Sequence, residues 1–188
     1  SVGYYNITIH VDDTYPTIVK TVGSPNCTIN STTWCVTNST PIYIDAYDNG
    51  CCNNLTIEYA VDGGTYTPIT VPYIFNFSSY LDGVHTLSIK AYDCLGHVSY
   101  DNETFYVDDS YPAITKIVGD PNVTGSGTPD YWVTTMTPIT INASDAGPCS
   151  SLYVEISTDG VSWTMITVPY IFHFTEECYH TLYIKAYD

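Results

Sequence analysis

Val107-Asp108-Asp109-Ser110-Tyr111-Pro112 repeats, with one Ser/Thr exchange, as Val11-Asp12-Asp13-Thr14-Tyr15-Pro16, 96 residues earlier. An internal period has to be recognised before any fold is assigned, because each period is one structural unit. Here it implies that one module ends and the next begins at each copy of the motif. The 188 residues therefore divide into residues 1–10, module 1 at 11–106 and module 2 at 107–188. In residues 1–10, Val2, Tyr4, Asn6 and Thr8 fall on Val98, Tyr100, Asn102 and Thr104. That segment reads as the last strand of a preceding or neighbouring-subunit module. At the other end, Lys185-Ala186-Tyr187-Asp188 matches Lys90-Ala91-Tyr92-Asp93, so module 2 reads as lacking its own last strand.

Within module 1 the apolar residues alternate with period two, as half-buried strands require. Ile42, Ile44 and Ala46 share one face, Leu55, Ile57, Tyr59 and Val61 another, and Leu87, Ile89 and Ala91 a third. Asp62-Gly63-Gly64 and Asp82-Gly83 supply the turns between them, glycine accepting the positive φ of tight turns. Module 2 follows strand by strand, with Ile139, Ile141 and Ala143 in place of the Ile42 set and an identical Ile-Thr-Val-Pro-Tyr-Ile-Phe at 69–75 and 166–172. Cys27 to Cys35 lies in a loop rich in Asn, Ser and Thr. About seven short strands per module, separated by turn signals, predict an all-β chain of two tandem immunoglobulin-like β-sandwich modules plus the N-terminal strand.

The charge is lopsided: four Lys and no Arg against twenty Asp and Glu, net −16. Such a surface repels nucleic-acid backbones, so no nucleic acid is expected as partner. No apolar run approaches the ~18 residues of a membrane span, and no direct membrane insertion of this segment is expected. Seven cysteines without metal-ligand spacing point to disulfides and an oxidising compartment. Nine of eleven asparagines open an Asn-x-Ser/Thr sequon: Asn6, Asn26, Asn30, Asn38, Asn54, Asn76, Asn102, Asn122 and Asn142. With Ser and Thr at 42 of 188 positions, chance would give about two or three. The expectation is a secreted, extracellular cell-surface protein bearing N-linked glycans.

Catalytic patterns are not seen. His85 and His180 recur at one template position, which suits a duplicated structural site, and His10, His97 and His173 have no partner at nucleophile spacing. Glu58 and Glu155 correspond but each reads as solitary and solvent-facing. No enzyme is expected. Trp34, Trp132 and Trp163, with nineteen Tyr, admit carbohydrate stacking, although cross-strand and core packing account for most such aromatics.

Val-Asp-Asp-(Ser/Thr)-Tyr-Pro, Pro-Ile-x-Ile-x-Ala-x-Asp, His-Thr-Leu-x-Ile-Lys-Ala-Tyr-Asp and Cys94-Leu95-Gly96-His97 resemble the tandem Ig-like repeats of bacterial and archaeal cell-surface proteins, over essentially the whole chain. The sequons, the cysteines and the scarcity of Lys resemble the archaeal members more. The resemblance implies stalks, arms, surface layers or filaments. In an Ig-like module the linker enters beside two loops. That would gather Asp12, Asp13, Asp48 and Asp93 in module 1, and Asp108, Asp109, Asp145 and Asp188 in module 2, where Ca²⁺ could bind; turn-forming Asp is the alternative. The same geometry implies that Cys27 closes on Cys35 and that Cys51 or Cys52 bonds Cys94. Cys149, aligned with Cys52, would need a partner at position 189, and Cys178 would face a neighbouring module's Cys51. The functional expectation is a non-catalytic subunit of a glycosylated extracellular filament or surface array. Its partner would be another copy of itself, joined head-to-tail by strand complementation, or a tandem array of the same modules. The alternative is an adhesin stalk or a carbohydrate- or receptor-binding arm.

Overall fold

The computed structural model describes residues 2–30, 32–149 and 151–188. They form two compact units that meet at Asp109 and Ser110, so the Val-Asp-Asp of the second motif stays with the first unit. Among the described residues there is no helix, and hence none long and apolar enough to cross a membrane.

The first unit is a β-sandwich. One sheet has three strands, β1 (Thr17–Val22), β4 (Ile42–Tyr47) and β7 (Tyr73–Phe75), in the order β1-β4-β7. The facing sheet has six, β2 (Asn26–Asn30), β3 (Thr33–Val36), β5 (Thr56–Val61), β6 (Thr67–Ile69), β8 (Gly83–Tyr92) and β9 (Val98–Val107), in the order β2-β3-β9-β8-β5-β6. The alternation predicted from sequence is what fills the space between the sheets. Ile42, Ile44 and Phe75 from one sheet meet Ile57, Leu87, Ile89, Ala91, Phe105 and Val107 from the other, with Phe77 between them, all buried.

β9 sits at the centre of the larger sheet. It pairs antiparallel with β8 over ten residues, from Gly83↔Val107 to Tyr92↔Val98, and parallel with β3 on its other edge. Its period of two sends Phe105 and Val107, both fully buried, into the core and leaves Tyr100 and Asn102 exposed. Asp101 and Glu103 share the inward phase and are answered by the nearly buried ammonium of Lys20, at 2.6 Å from each carboxylate. Glu103 also accepts the Trp34 indole N–H at 2.7 Å. A buried cation without those partners would carry a large desolvation cost. β9 is thus core filler, ladder and counter-charge at once.

The β2–β3 hairpin corrects the sequence reading, which placed a loop there. Its Asn, Ser and Thr content reads as loop by composition, and its pairing with β9 is long-range and invisible to any local pattern. Glu58 and Glu155 are corrected as well. Cross-strand register places Glu58 opposite Lys90 and Glu155 opposite Lys185, and the ion pairs are 2.5 and 2.6 Å long.

The second unit repeats the plan with β10 (Ala113–Val118), β13 (Ile139–Ser144) and β16 (Tyr170–Phe172) in one sheet. The other holds β14 (Tyr153–Ser157), β15 (Thr164–Ile166) and β17 (Tyr183–Tyr187), in the order β15-β14-β17, and β11 (Asn122–Thr124) pairs with β12 (Tyr131–Val133). β17 is the counterpart of β8 yet has five residues where β8 has ten. Its far edge has no strand beside it among the described residues, and 178–182 lack the ladder that holds 83–87 straight. The core shrinks with it: Ile139, Ile141 and Ile156 are buried, while Phe172, Phe174, Leu182 and Ile184 are only partly so. Their counterparts Phe75, Phe77, Leu87 and Ile89 are at most 4% exposed.

Candidate functional site

Two places bear on function: the end of the first unit where residues 11–16 dock, and the open edge of the second unit.

At the first, Asp12 is buried and its carboxylate accepts three hydrogen bonds, from the Thr14 hydroxyl at 2.5 Å, the Thr14 N–H at 3.0 Å and the Cys52 N–H at 2.6 Å. The Thr14 hydroxyl also lies 2.7 Å from Asp48, which takes the Gly50 N–H at 2.7 Å. Gly50 is required here because a Cβ would collide with the Asp12 carboxylate and the Thr14 hydroxyl. Asp93 accepts from the N–H groups of Leu95 and His97 and from His97 Nδ1 at 2.8 Å. A carboxylate can only accept, so Nδ1 carries the proton. Tyr15 lies against His97, ring centroids 5.0 Å apart.

Asp12 and Asp93 therefore converge as the Ig-like geometry implied, but most of their lone pairs face protein donors. Asp48 Oδ2 is one of the buried carboxylate oxygens without a hydrogen-bond partner among the described residues. Asp13 is exposed. Asp108 is buried and its N–H bonds the Val36 carbonyl at 2.9 Å, while Asp109 accepts from the Asn38 amide at 2.9 Å. In the second unit Asp145 repeats the part of Asp48, taking the Gly147 N–H at 3.3 Å and the Ser110 hydroxyl at 3.4 Å. Asp188 is exposed.

These contacts make the first unit sensitive to pH. The hydroxyl of Thr14, then the N–H groups of Thr14 and Cys52, hold Asp12 down to about 2 from an ordinary 3.8. Burial pushes Asp93 up, but the donors of His97, Leu95 and Gly96 outweigh it and leave its carboxyl below the ordinary value. The hydrogen bond to Asp93 raises His97 above 6.5, against desolvation. Desolvation lowers His85, but its bonds to Asp62 and the Leu81 carbonyl leave it raised. A lowered carboxylate stabilises the fold above pH 3.8 and loses that contribution as pH falls toward about 2. A raised histidine stabilises below 6.5 and loses its contribution as pH climbs through the raised value. The melting temperature of the first unit is thus expected to peak between these limits, and His97→Asn to flatten the alkaline limb. A profile level from about pH 3 to 9 would refute this linkage.

The cysteines fall differently from the expectation. Cys52 bonds Cys94, settling the choice between Cys51 and Cys52. Cys27 and Cys35 stand opposite each other in the β2–β3 ladder but do not bond. Cys35 is buried and already disulfide-bonded, whereas Cys27 is a free thiol on the exposed edge strand. Cys149 is also disulfide-bonded, so it is not held for a partner at position 189. Cys51 and Cys178 are free and exposed.

Of the sequon asparagines, Asn6, Asn26, Asn30, Asn54, Asn76, Asn102 and Asn142 are exposed, and Asn38 and Asn122 half-buried. In two of them the side-chain oxygen accepts from the sequon hydroxyl, Asn30 from Thr32 and Asn76 from Ser78. His85 stacks on Phe77 and His180 on Phe174, the duplicated structural role expected of them. Trp163 lies under Lys185 as Tyr66 lies under Lys90. Trp132 is 65% exposed, in a strand that among the described residues has no counterpart of the parallel neighbour β3 finds in β9.

The second place is the edge of β17, together with residues 2–11. These carry no regular secondary structure, and Val2, Tyr4, Tyr5, Ile7, Ile9 and Val11 are each at least 67% exposed. A segment aligned with β9, a strand that reaches the core of the first unit, is thus among the most exposed of the described residues.

Neither a protein-family model nor a curated protein sequence matches the chain. Among solved structures, the dimeric latent PorU of Porphyromonas gingivalis is similar at 16% identity and a TM-score of 0.33, covering 93% of this chain and 17% of that one. A likeness of that size carries no argument about function.

Proposed function

We propose that the chain is a non-catalytic building unit of an extracellular glycosylated filament or surface array, extended head-to-tail by strand complementation. The supporting observation is the contrast between β8, which carries β9 along ten residues, and β17, whose corresponding edge has no strand beside it among the described residues. Residues 2–11 of a second copy, the repeat counterpart of β9, fill that edge.

Alignment with β9 brings Tyr5, Ile7, Ile9 and Val11 to the inward positions held by Asp101, Glu103, Phe105 and Val107. A slip of one residue would turn Tyr4, Asn6, Thr8 and His10 inward instead, so the pleat alone selects the register. Burying Ile7, Ile9 and Val11 contributes about 1.5–3 kcal/mol each, and the ladder satisfies backbone groups that an edge leaves to solvent. The inward pair that answers Lys20 in the first unit becomes Tyr5 and Ile7. This suits Lys116, which lies over the Tyr131 ring at 5.4 Å. Asn6 takes the outward phase of exposed Asn102, so its glycan is compatible with insertion.

The contact is heterologous, and heterologous contacts propagate. Pairing is the same whether the strand comes from a separate copy or from a covalently continuous neighbouring module. Electron microscopy and sedimentation of the purified chain separate the two: linear polymers support complementation between copies. A chain that stays monomeric at high concentration would rule it out.

A further inference from the structure

Resting on that head-to-tail reading, we infer that the junction between copies is closed covalently, by a disulfide from Cys178 of the accepting copy to Cys51 of the copy that supplies the strand.

The argument starts from the ladder of the first unit. Gly83 opens β8 and pairs with Val107, the last residue of β9. Cys178 is the counterpart of Gly83. Both lie two residues before the stacked histidine, and both have positive φ, 151° and 88°. The repeat register therefore pairs Cys178 with Val11 of the incoming strand. Val11 is followed by Asp12, whose position in its own unit is fixed. The Asp12 carboxylate takes the Cys52 N–H at 2.6 Å and packs on Gly50. Cys51 lies between these two residues, exposed, with a free thiol. The strand that pairs at Cys178 thus carries Cys51 beside its last ladder residue.

The thiols are also placed selectively. Inside the chain the template positions of Cys178 and Cys51 are held by Gly83 and Pro148, so the covalent link between the two units has no cysteine at either. Both positions hold cysteine at the junction that the proposed head-to-tail contact makes. Cys178 is moreover an L-residue at a φ that favours glycine, a backbone cost accepted at that position while its counterpart keeps glycine.

The chemistry needs an external oxidant, for which a small-molecule disulfide suffices. One Cys thiolate attacks it and releases a thiol. The second Cys then attacks the mixed disulfide and releases the other thiol. One S–S bond forms between the Sγ atoms, the two cysteines are oxidised, and the reagent is reduced to two thiols.

The test uses the whole chain with Cys27→Ser, which removes the other exposed thiol, and oxidised glutathione as the reagent. The expected result is a ladder of covalent oligomers on a non-reducing gel, collapsing with reductant, with a Cys51–Cys178 peptide pair identified by mass spectrometry. Adding Cys51→Ser or Cys178→Ser abolishes the ladder but leaves light scattering from non-covalent polymers unchanged under reducing conditions. A mixture of the two variants gives covalent dimers and nothing larger, because one copy retains only the accepting thiol and the other only the donating one. Polymers that form yet never cross-link overturn the disulfide and leave strand complementation standing. No polymer under any condition overturns both.

Discussion

Replacing Ile9 and Val11 with aspartate is expected to abolish assembly of the chain while leaving the unfolding of the first unit where it was. Both side chains are exposed in the free chain, at 68% and 73%, so the substitutions take nothing from a folded core. In the complemented state they occupy the positions of Phe105 and Val107, both 0% exposed. Two carboxylates there would be buried without a cation, since Lys116 lies at the level of Tyr5 and Ile7. Burying an unpaired charge costs several kcal/mol, so the effect on association is a loss of at least about a thousandfold. Sedimentation or light scattering reads the assembly, and denaturant unfolding reads the first unit. Assembly undiminished by both aspartates would remove residues 2–11 from the interface.

The second large effect lies within the first unit. Phe105→Ala is expected to destabilise it by about 3–5 kcal/mol. The ring is fully buried, 5.3 Å centroid to centroid from Phe77, and β9 is held on both edges, so the cavity cannot close by strand movement. Phe174→Ala in the second unit should cost less than Phe105→Ala in the free chain, because that ring is already partly exposed. Equal costs in the two units would mean that the open edge of β17 is not what loosens the second core. Denaturant unfolding of each variant, followed by tryptophan fluorescence, makes the comparison.

Strands that can be seen locally were legible from the residues. Ile42-x-Ile44, its counterpart and the Leu87 set lie in strands where the pattern placed them, while the counterpart of the Leu87 strand is shortened to Tyr183–Tyr187 and leaves Leu182 outside. β2 and β3 were not legible, because Asn26–Val36 has turn-like composition and becomes strand only against β9, about seventy residues later. The cysteines divide along the same line. Cys52 and Cys94 flank loops whose position follows from the module plan. Whether Cys27 bonds Cys35 depends on side-chain direction, and the burial of Cys35 carries its sulfur away from an edge strand. Glu58 and Lys90, with their repeat partners Glu155 and Lys185, held a signal that cross-strand register could have revealed, since both members recur together. Asp12 was found as part of a cluster, but its three donors come from Thr14 and Cys52, and no spacing rule announces them.

Under the proposed head-to-tail assembly, β2 bears on the direction of growth. It is the outer strand of the six-stranded sheet, its five residues are all exposed, and sequons begin at its first and last residues, Asn26 and Asn30. The opposite outer strand, β6, is three residues long and contains Pro68, which has no N–H to offer. One rim of the sheet thus carries two exposed sequons and the other is blunted by proline, so neither invites a sideways neighbour. Under the proposed assembly extension runs through β17, and a material grown that way would thicken by bundling finished threads rather than by widening this sheet.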